Sequence, residues 1–147
     1  MRAMTDIDPR AAYQAMTQAL ITDIRTHGEP RSGPFLGRPV LLLTTTGAKS
    51  GESRLVPLVF SRDGDRLVIM ASKGGAPSNP AWFANLVANP VVTVETGGET
   101  FEARAIVADG AERERLWAAH VAQNPTFADY EQKTTRQIPA IALERIG

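Results

Sequence analysis

Apolar residues recur at two periods along this chain, and the switches between them mark its elements. Tyr13, Met16, Leu20 and Ile24 repeat at spacings of three and four, one stripe of a helix. Asp8 supplies its cap, Pro9 its first position, and His27-Gly28-Glu29-Pro30 its end. After a Gly/Pro loop from Arg31 to Pro39, Val40 to Thr46 reads as a strand. Arg54 to Phe60 is a second strand, with Pro57 marking an edge or a bulge. Asp63-Gly64 predicts a hairpin turn into a third, Arg66 to Ala71. Asn79 and Pro80 then read as the cap and first position of a short helix carrying Trp82, Phe83 and Leu86, stopped by Asn89-Pro90. Val91 to Thr96 and Thr100 to Ala108 are strands flanking Gly97-Gly98. Asp109 and Glu112 match a capping box for a helix with Leu116, Trp117, His120 and Val121. Asn124-Pro125 breaks it; Phe127 to Thr135 has no clear period; Ile138 to Leu143 is the last strand.

About six strands joined largely by hairpin turns predict an antiparallel sheet. Parallel neighbours need a crossover of a dozen or more residues, and the first three strands are too closely spaced for that. A doubly wound nucleotide-binding sheet is therefore excluded. An antiparallel sheet exposes its edges or closes. With helices inserted at its ends, the expected class is mainly β with helices (α+β), built on a small closed or split β-barrel. Residues 1–38 are read as a helix and loop of the same domain, and 39–147 as the barrel.

Length and composition narrow the function. A chain of 147 residues with 43% hydrophobic and 22% charged residues is one globular domain. No apolar run approaches the ~20 residues that span a bilayer. No export signal is evident at the N-terminus, so the expected location is cytoplasmic, with weak attachment to a membrane surface through the first helix as the alternative. Having no cysteine, the chain has no disulfides, cysteine-bound metal or thiol nucleophile. Lys plus Arg equals Asp plus Glu at 16 each, which argues against coating nucleic acid. The charges are unevenly spread, however. Residues 30–51 and 66–94 contain no acid, yet hold Arg31, Arg38, Lys49, Arg66 and Lys73. Side by side, these segments would make a local anion site on a neutral protein.

The first of them contains Thr46-Gly47-Ala48-Lys49-Ser50-Gly51, followed by Arg54. This is no P-loop, because Ala48 stands where that motif has glycine and a strand follows. Nor is Ser50 in a nucleophile elbow. The loop still carries anion-binding groups: glycines that free backbone N–H groups, the Ser50 hydroxyl, and the cations of Lys49 and Arg54. In the second segment, Ser72-Lys73-Gly74-Gly75 allows a backbone to approach a flat ligand, Trp82 offers a stacking surface or a core side chain, and Asn85 a polar edge. His27 and His120 match no metal or hydrolase pattern, so no metal is expected. With few groups fit for proton transfer or nucleophilic attack, an enzyme of this sequence would rely on a bound cofactor.

Together, Leu42 to Gly51, Arg54, Pro57-Leu58, Ala71 to Pro77, Asn79 to Leu86, Asn89-Pro90, Val92 to Val94, Asp129-Tyr130 and Ile138-Pro139 resemble the deazaflavin (coenzyme F420)-dependent nitroreductase family of actinobacteria. The likeness runs from about Pro39 to the C-terminus. It implies a split barrel like that of FMN-binding proteins and an F420-dependent reductase passing hydride to a quinone-like or nitroaromatic acceptor. It also implies that Ala48, Lys49, Ser50 and Arg54 hold the acidic, phosphate-bearing tail of F420. Val56, Pro57, Leu58 and Val59 would line the cofactor; Met70, Ala71, Ser72 and Lys73 would contact its head; Ala81, Trp82 and Asn85 would complete the pocket. Ser72 and Tyr130 are the implied catalytic hydrogen-bond donors toward the acceptor. Nitro-reducing members carry tyrosines spaced by three where this chain has Asn124, Phe127 and Tyr130, so two hydroxyls are missing. The alternatives are an FMN-dependent reductase on the same barrel and a non-catalytic F420-binding protein. The expected partner is a small-molecule acceptor, and the assembly a monomer or homodimer.

Overall fold

The computed structural model describes residues 8–147. Helix α1 (Pro9–His27) leads into β1 (Val40–Thr46), β2 (Ser53–Val59), β3 (Ser61–Asp63) and β4 (Arg66–Met70). Helix α2 (Ala81–Ala88), strands β5 (Val91–Thr96) and β6 (Glu99–Val107), helices α3 (Gly110–Gln123) and α4 (Phe127–Gln132) and strand β7 (Ala140–Arg145) follow. The strands form one seven-stranded sheet in the order β2-β1-β5-β6-β7-β4-β3, antiparallel at every ladder. Its edge strands β2 and β3 are consecutive in sequence, with only Phe60 between them. The sheet must therefore curl until its two edges meet, and because those edges do not pair, the barrel is split there.

The expectation of six strands differs by one because Ser61–Asp63, beyond the expected end of the second strand, pairs with β4 as a strand of its own. At the junction the Phe60 N–H still donates to Pro39 O at 3.0 Å, in register with the β1–β2 ladder. Pro57 sits in the edge strand β2, opposite Leu42, where its missing N–H takes nothing from a second ladder.

Side-chain alternation shows why some strands are apolar throughout. Leu41 and Leu43 of β1, Leu67 and Ile69 of β4, and Ile141 and Leu143 of β7 point into the barrel core, with Val92 and Val94 of β5. On the opposite face, Val40 and Leu42 pack under Ile24 of α1, while Val68, Met70, Ala140 and Ala142 pack under Leu116 and Trp117 of α3. Strands covered on both faces cannot alternate in polarity. Strand β6 is bare on its outer face and does alternate, with Ala103 and Ala105 buried beside exposed Glu102 and Arg104. Each fully buried aliphatic side chain contributes about 1.5–3 kcal/mol.

The helix ends follow the expected chemistry only in part. Asp8 caps α1, accepting from the Arg10 N–H at 3.0 Å. The apolar stripe of α1 is buried only at Leu20 and Ile24; Tyr13 is 62% exposed. Its first two turns therefore overhang the barrel. Pro80, not Asn79, occupies the cap of α2. Asp109 makes no side-chain capping bond at α3, and the Glu112 carboxylate does not reach back to close the box, because it accepts from Arg66 and Arg115, which also hold Asp63. Those bonds, Arg115 first, keep the Asp63 carboxyl well below the usual carboxylate range. The β3–β4 turn is Gly64-Asp65, one residue later than expected, with Gly64 at φ +59° as a two-residue hairpin requires. No helix among the described residues is long and apolar enough to cross a membrane.

Candidate functional site

A groove with two lobes runs along β2. The first lobe, about 530 Å³, is bounded by the loop after β1 (Ala48, Lys49, Ser50), by Arg54 and by Asn85 of α2. The second, about 430 Å³, is bounded by Pro57 to Val59, by Met70, Ser72, Lys73 and Gly74 after β4, and by Phe127 and Tyr130 of α4. Tyr13, Phe35 and Arg38 close its rim. Val56, Ala81 and Trp82 line both lobes, so the two are one continuous site.

Local geometry explains the first lobe. The Gly47 N–H donates to Glu52 O at 2.7 Å and the Gly51 N–H to Gly47 O at 3.0 Å. The glycines therefore close the loop and do not offer their own N–H groups to a ligand, as the sequence suggested they would. A Cβ on Gly47 would lie 2.5 Å from Ser50 Oγ, which itself accepts from the Glu52 N–H. Asn85 also departs from expectation: its Oδ1 accepts from the Ala48 N–H at 3.0 Å and its Nδ2 donates to Thr45 Oγ1 at 3.2 Å. It holds the loop against α2 and has little left to read a ligand edge. Arg54 pairs with Glu52 at 3.2 Å, both side chains being more than half exposed. Lys49 has no ion-pair partner among the described residues. The cations of the acid-free segments thus separate. Lys49, Arg38 and Lys73 border the groove, as does Arg54 from outside those segments, whereas Arg31 pairs with Glu29, and Arg66 with Asp63, Glu112 and Glu144.

The second lobe combines an apolar wall with two hydroxyls, Ser72 and Tyr130. Trp82 is 8% exposed and belongs to the barrel core while presenting its remaining surface to both lobes. It is both core and wall. Ala71, expected to touch the cofactor head, is 0% exposed in the core and lines neither lobe. Of the positions spaced by three, Asn124 is turned inward, its Nδ2 donating to Phe60 O at 3.2 Å. Phe127 and Tyr130 face the lobe, with rings edge to face at 5.1 Å. Behind Phe127 lies His120, fully buried, its Nδ1 2.7 Å from Ser61 Oγ and its ring 4.3 Å from that of Phe127. Burial, with the nearby Arg38 charge, pushes its imidazole down to about 4, so it is neutral and structural.

One contributor was not anticipated. Arg136 donates to the carbonyls of Ala71, Ser72 and Ala76 and to Asn79 Oδ1, bracing the loop that forms the head-side wall. A lone arginine in a stretch without periodicity gives no sequence signal for this.

The arrangement can hold an elongated ligand whose anionic end meets Lys49, Ser50 and Arg54 and whose flat apolar end meets Val56 to Val59 and Trp82. A second small molecule can sit beneath Tyr130. Comparison with known proteins agrees. The model of the F420H(2)-dependent quinone reductase family matches residues 12–145, and so takes in most of α1, which the motif-based likeness left out. An F420H(2)-dependent quinone reductase of Mycobacterium tuberculosis (strain ATCC 25618 / H37Rv) is 40% identical over 110 residues, 73% of this chain and 74% of that protein. The solved F420-H2 dependent reductase FDR-A is 42% identical, with a TM-score of 0.68 over 73% of this chain and 95% of its own. Another solved structure, described as a domain-swapped dimer, is 35% identical, with a TM-score of 0.69 over 97% of this chain and 100% of its own. This chain belongs to the F420H(2)-dependent quinone reductase family.

Proposed function

We propose that the chain binds reduced F420 along the two-lobed groove and brings it against a quinone for hydride transfer. The observation that carries this is the continuity of the two lobes. A cationic loop at one end opens into an apolar, hydroxyl-bearing chamber at the other, with Val56, Ala81 and Trp82 common to both. The residues fit the cofactor's chemistry. Lys49, Ser50 and Arg54 meet a phosphodiester and carboxylates, and Val56 to Val59 with Trp82 form a wall for a planar head. When bound, the reduced deazaflavin supplies the hydride. The chain orients donor and acceptor and excludes water, while the Ser72 and Tyr130 hydroxyls donate hydrogen bonds to the acceptor oxygen as it gains charge. The relative described as a domain-swapped dimer supports a homodimer over a monomer.

The test is a titration of the purified protein with F420 and, separately, with FMN, following tryptophan fluorescence. Trp82→Phe separates the groove signal from that of Trp117, which is buried on α3 against β4 and β7. Tight F420 binding, weak FMN binding and turnover of menadione with regenerated reduced F420 are expected. Preference for FMN overturns the cofactor assignment, and F420 binding without turnover overturns the reductase.

Nitroaromatic acceptors are the finer part of the reading. Phe127→Tyr places a second hydroxyl in the head-side lobe and is expected to raise nitroimidazole turnover several-fold. The measured rate is compared with that of menadione, and an unchanged ratio removes the missing hydroxyl as the limit.

A further inference from the structure

The loop between β4 and α2 has the least ordinary backbone in the molecule. Lys73 is at φ +47°, the one non-glycine residue at positive φ among the described residues, and Gly74 and Gly75 follow at +63° and +84°. A left-handed lysine is sterically disfavoured and persists only where surrounding contacts impose it. Within the loop, the Gly75 N–H to Ser72 O (2.9 Å) and the Ala76 N–H to Lys73 O (3.1 Å) close the turn, and Lys73 Nζ donates to Ser78 Oγ at 3.5 Å.

The largest set of further hydrogen bonds to the loop comes from one side chain distant in sequence. Arg136 donates from Nη2 to Ser72 O at 2.8 Å, from Nη1 to Ala71 O at 3.1 Å and from Nε to Ala76 O at 2.9 Å. Its Nη1 also reaches Asn79 Oδ1 at 2.8 Å, which explains why Asn79 does not cap α2. The guanidinium thus bridges the carbonyls before and after the left-handed turn. Its planar fork of five donors suits four diverging acceptors, which a lysine ammonium with three donors cannot satisfy. The other side of the loop is equally confined. A Cβ on Gly75 would lie 2.7 Å from Lys133 Cβ and 2.8 Å from Tyr130 O. The loop is therefore wedged between Arg136 and α4, whose Phe127 and Tyr130 form the facing wall of the head-side lobe.

We propose that Arg136 is a positioning residue for hydride transfer: by fixing the left-handed turn against α4 it sets the spacing between the Ser72-Lys73 wall and Tyr130. This rests on the groove holding F420. A misplacement of about 1 Å between reacting groups lowers rates by ~10²-fold, so the effect falls on the chemical step more than on acceptor affinity.

The test uses Arg136→Ala and Arg136→Lys in the full chain. Amide hydrogen exchange without cofactor is expected to quicken at least tenfold at Gly75 and Ala76 in Arg136→Ala, with strand amides unchanged. Single-turnover hydride transfer from reduced F420 to menadione is expected to slow at least tenfold, with KM for menadione within threefold of wild type. Arg136→Lys recovers only part of the rate, and millimolar guanidinium partly rescues Arg136→Ala. Wild-type exchange and rate in Arg136→Ala overturn the proposal, as does full recovery by lysine. Should Arg136→Ala not fold, Asn79→Ala removes one of the four acceptors. It is expected to quicken exchange and slow transfer two- to threefold, and wild-type values for both overturn the proposal. Failure of the wild type to bind F420 would instead remove the reading of the groove, and would show in the titration before any variant is made.

Discussion

Replacing Lys49 and Arg54 together with alanine is expected to weaken F420 binding about 5- to 30-fold, with little change in thermal stability. A hydrogen bond to a charged group contributes about 1.5–3 kcal/mol when shielded. Both side chains here are exposed, which reduces each to about 0.5–1 kcal/mol. Arg54 must also share its charge with Glu52, 3.2 Å away. Two consequences separate this account from a general loss of fit. Raising salt from 0.1 to 1 M shortens the Debye length from about 10 to about 3 Å. The wild type should then lose affinity severalfold, and the double variant almost none. Glu52→Gln releases Arg54 and should tighten binding. Equilibrium titration at both salt concentrations checks all three proteins. A double variant within twofold of wild type, with the same salt dependence, would show that the loop after β1 does not hold the anionic end of the ligand.

The barrel was legible because its strands obey local rules. Leu41 and Leu43 face the barrel core while Val40 and Leu42 face α1, so an unbroken apolar run is what a doubly covered strand must show. The hairpin glycines mark turns that need positive φ, as Gly97 at +60° and Gly98 at +83° confirm. Where local rules competed with distant partners, the distant partners prevailed. Glu112 matches a capping box by spacing but finds Arg66, 46 residues away, and Arg115 at closer range. Asn79 matches an N-cap but is taken by Arg136. Tyr13 and Met16 continue the apolar stripe of α1, yet Tyr13 reaches only the rim of the second lobe and Met16 is half-buried, so neither joins the core. The candidate site divides in the same way. The absence of acids from two segments pointed correctly to a shared groove, since that signal survives any folding that juxtaposes them. Ala71 lies in the core instead, and Asn85, though it lines the first lobe, spends its amide on Ala48 and Thr45, because which atoms a residue spends on its neighbours depends on packing that no spacing encodes. Arg136 was invisible for the same reason: its four acceptors are three main-chain carbonyls and one amide, none of them distinctive in sequence.

The stability of this protein should fall by about 2 kcal/mol between pH 7 and 5 through a single buried group, His120. The imidazole is fully buried, its Nδ1 is paired with Ser61 Oγ, and its Nε2 has no partner. Burial and the nearby Arg38 charge lower it from 6.5 in the free side chain to about 4 in the fold. Above about pH 7.5 neither state binds a proton at this site and its neutral form is fully compatible with folding. Between about 6.5 and 4 the unfolded chain takes up a proton that the folded chain refuses, so the unfolded state gains and stability declines as pH falls. Carboxylates held by arginines, Asp63 and Glu112 among them, are lowered from their ordinary values and act only at more acidic pH. The window above pH 5 therefore belongs to His120. His120→Gln keeps a polar group beside Ser61 but does not titrate. Urea unfolding of both proteins at pH 7 and 5 isolates the effect: the wild type should lose the stated amount, equivalent to roughly 4–8 °C in Tm, and the glutamine variant should not. Parallel losses in the two proteins would mean that His120 takes up its proton in the fold. Because its ring lies 4.3 Å from that of Phe127, edge to face, such a charge would reach the wall of the head-side lobe and make acceptor binding pH-dependent as well.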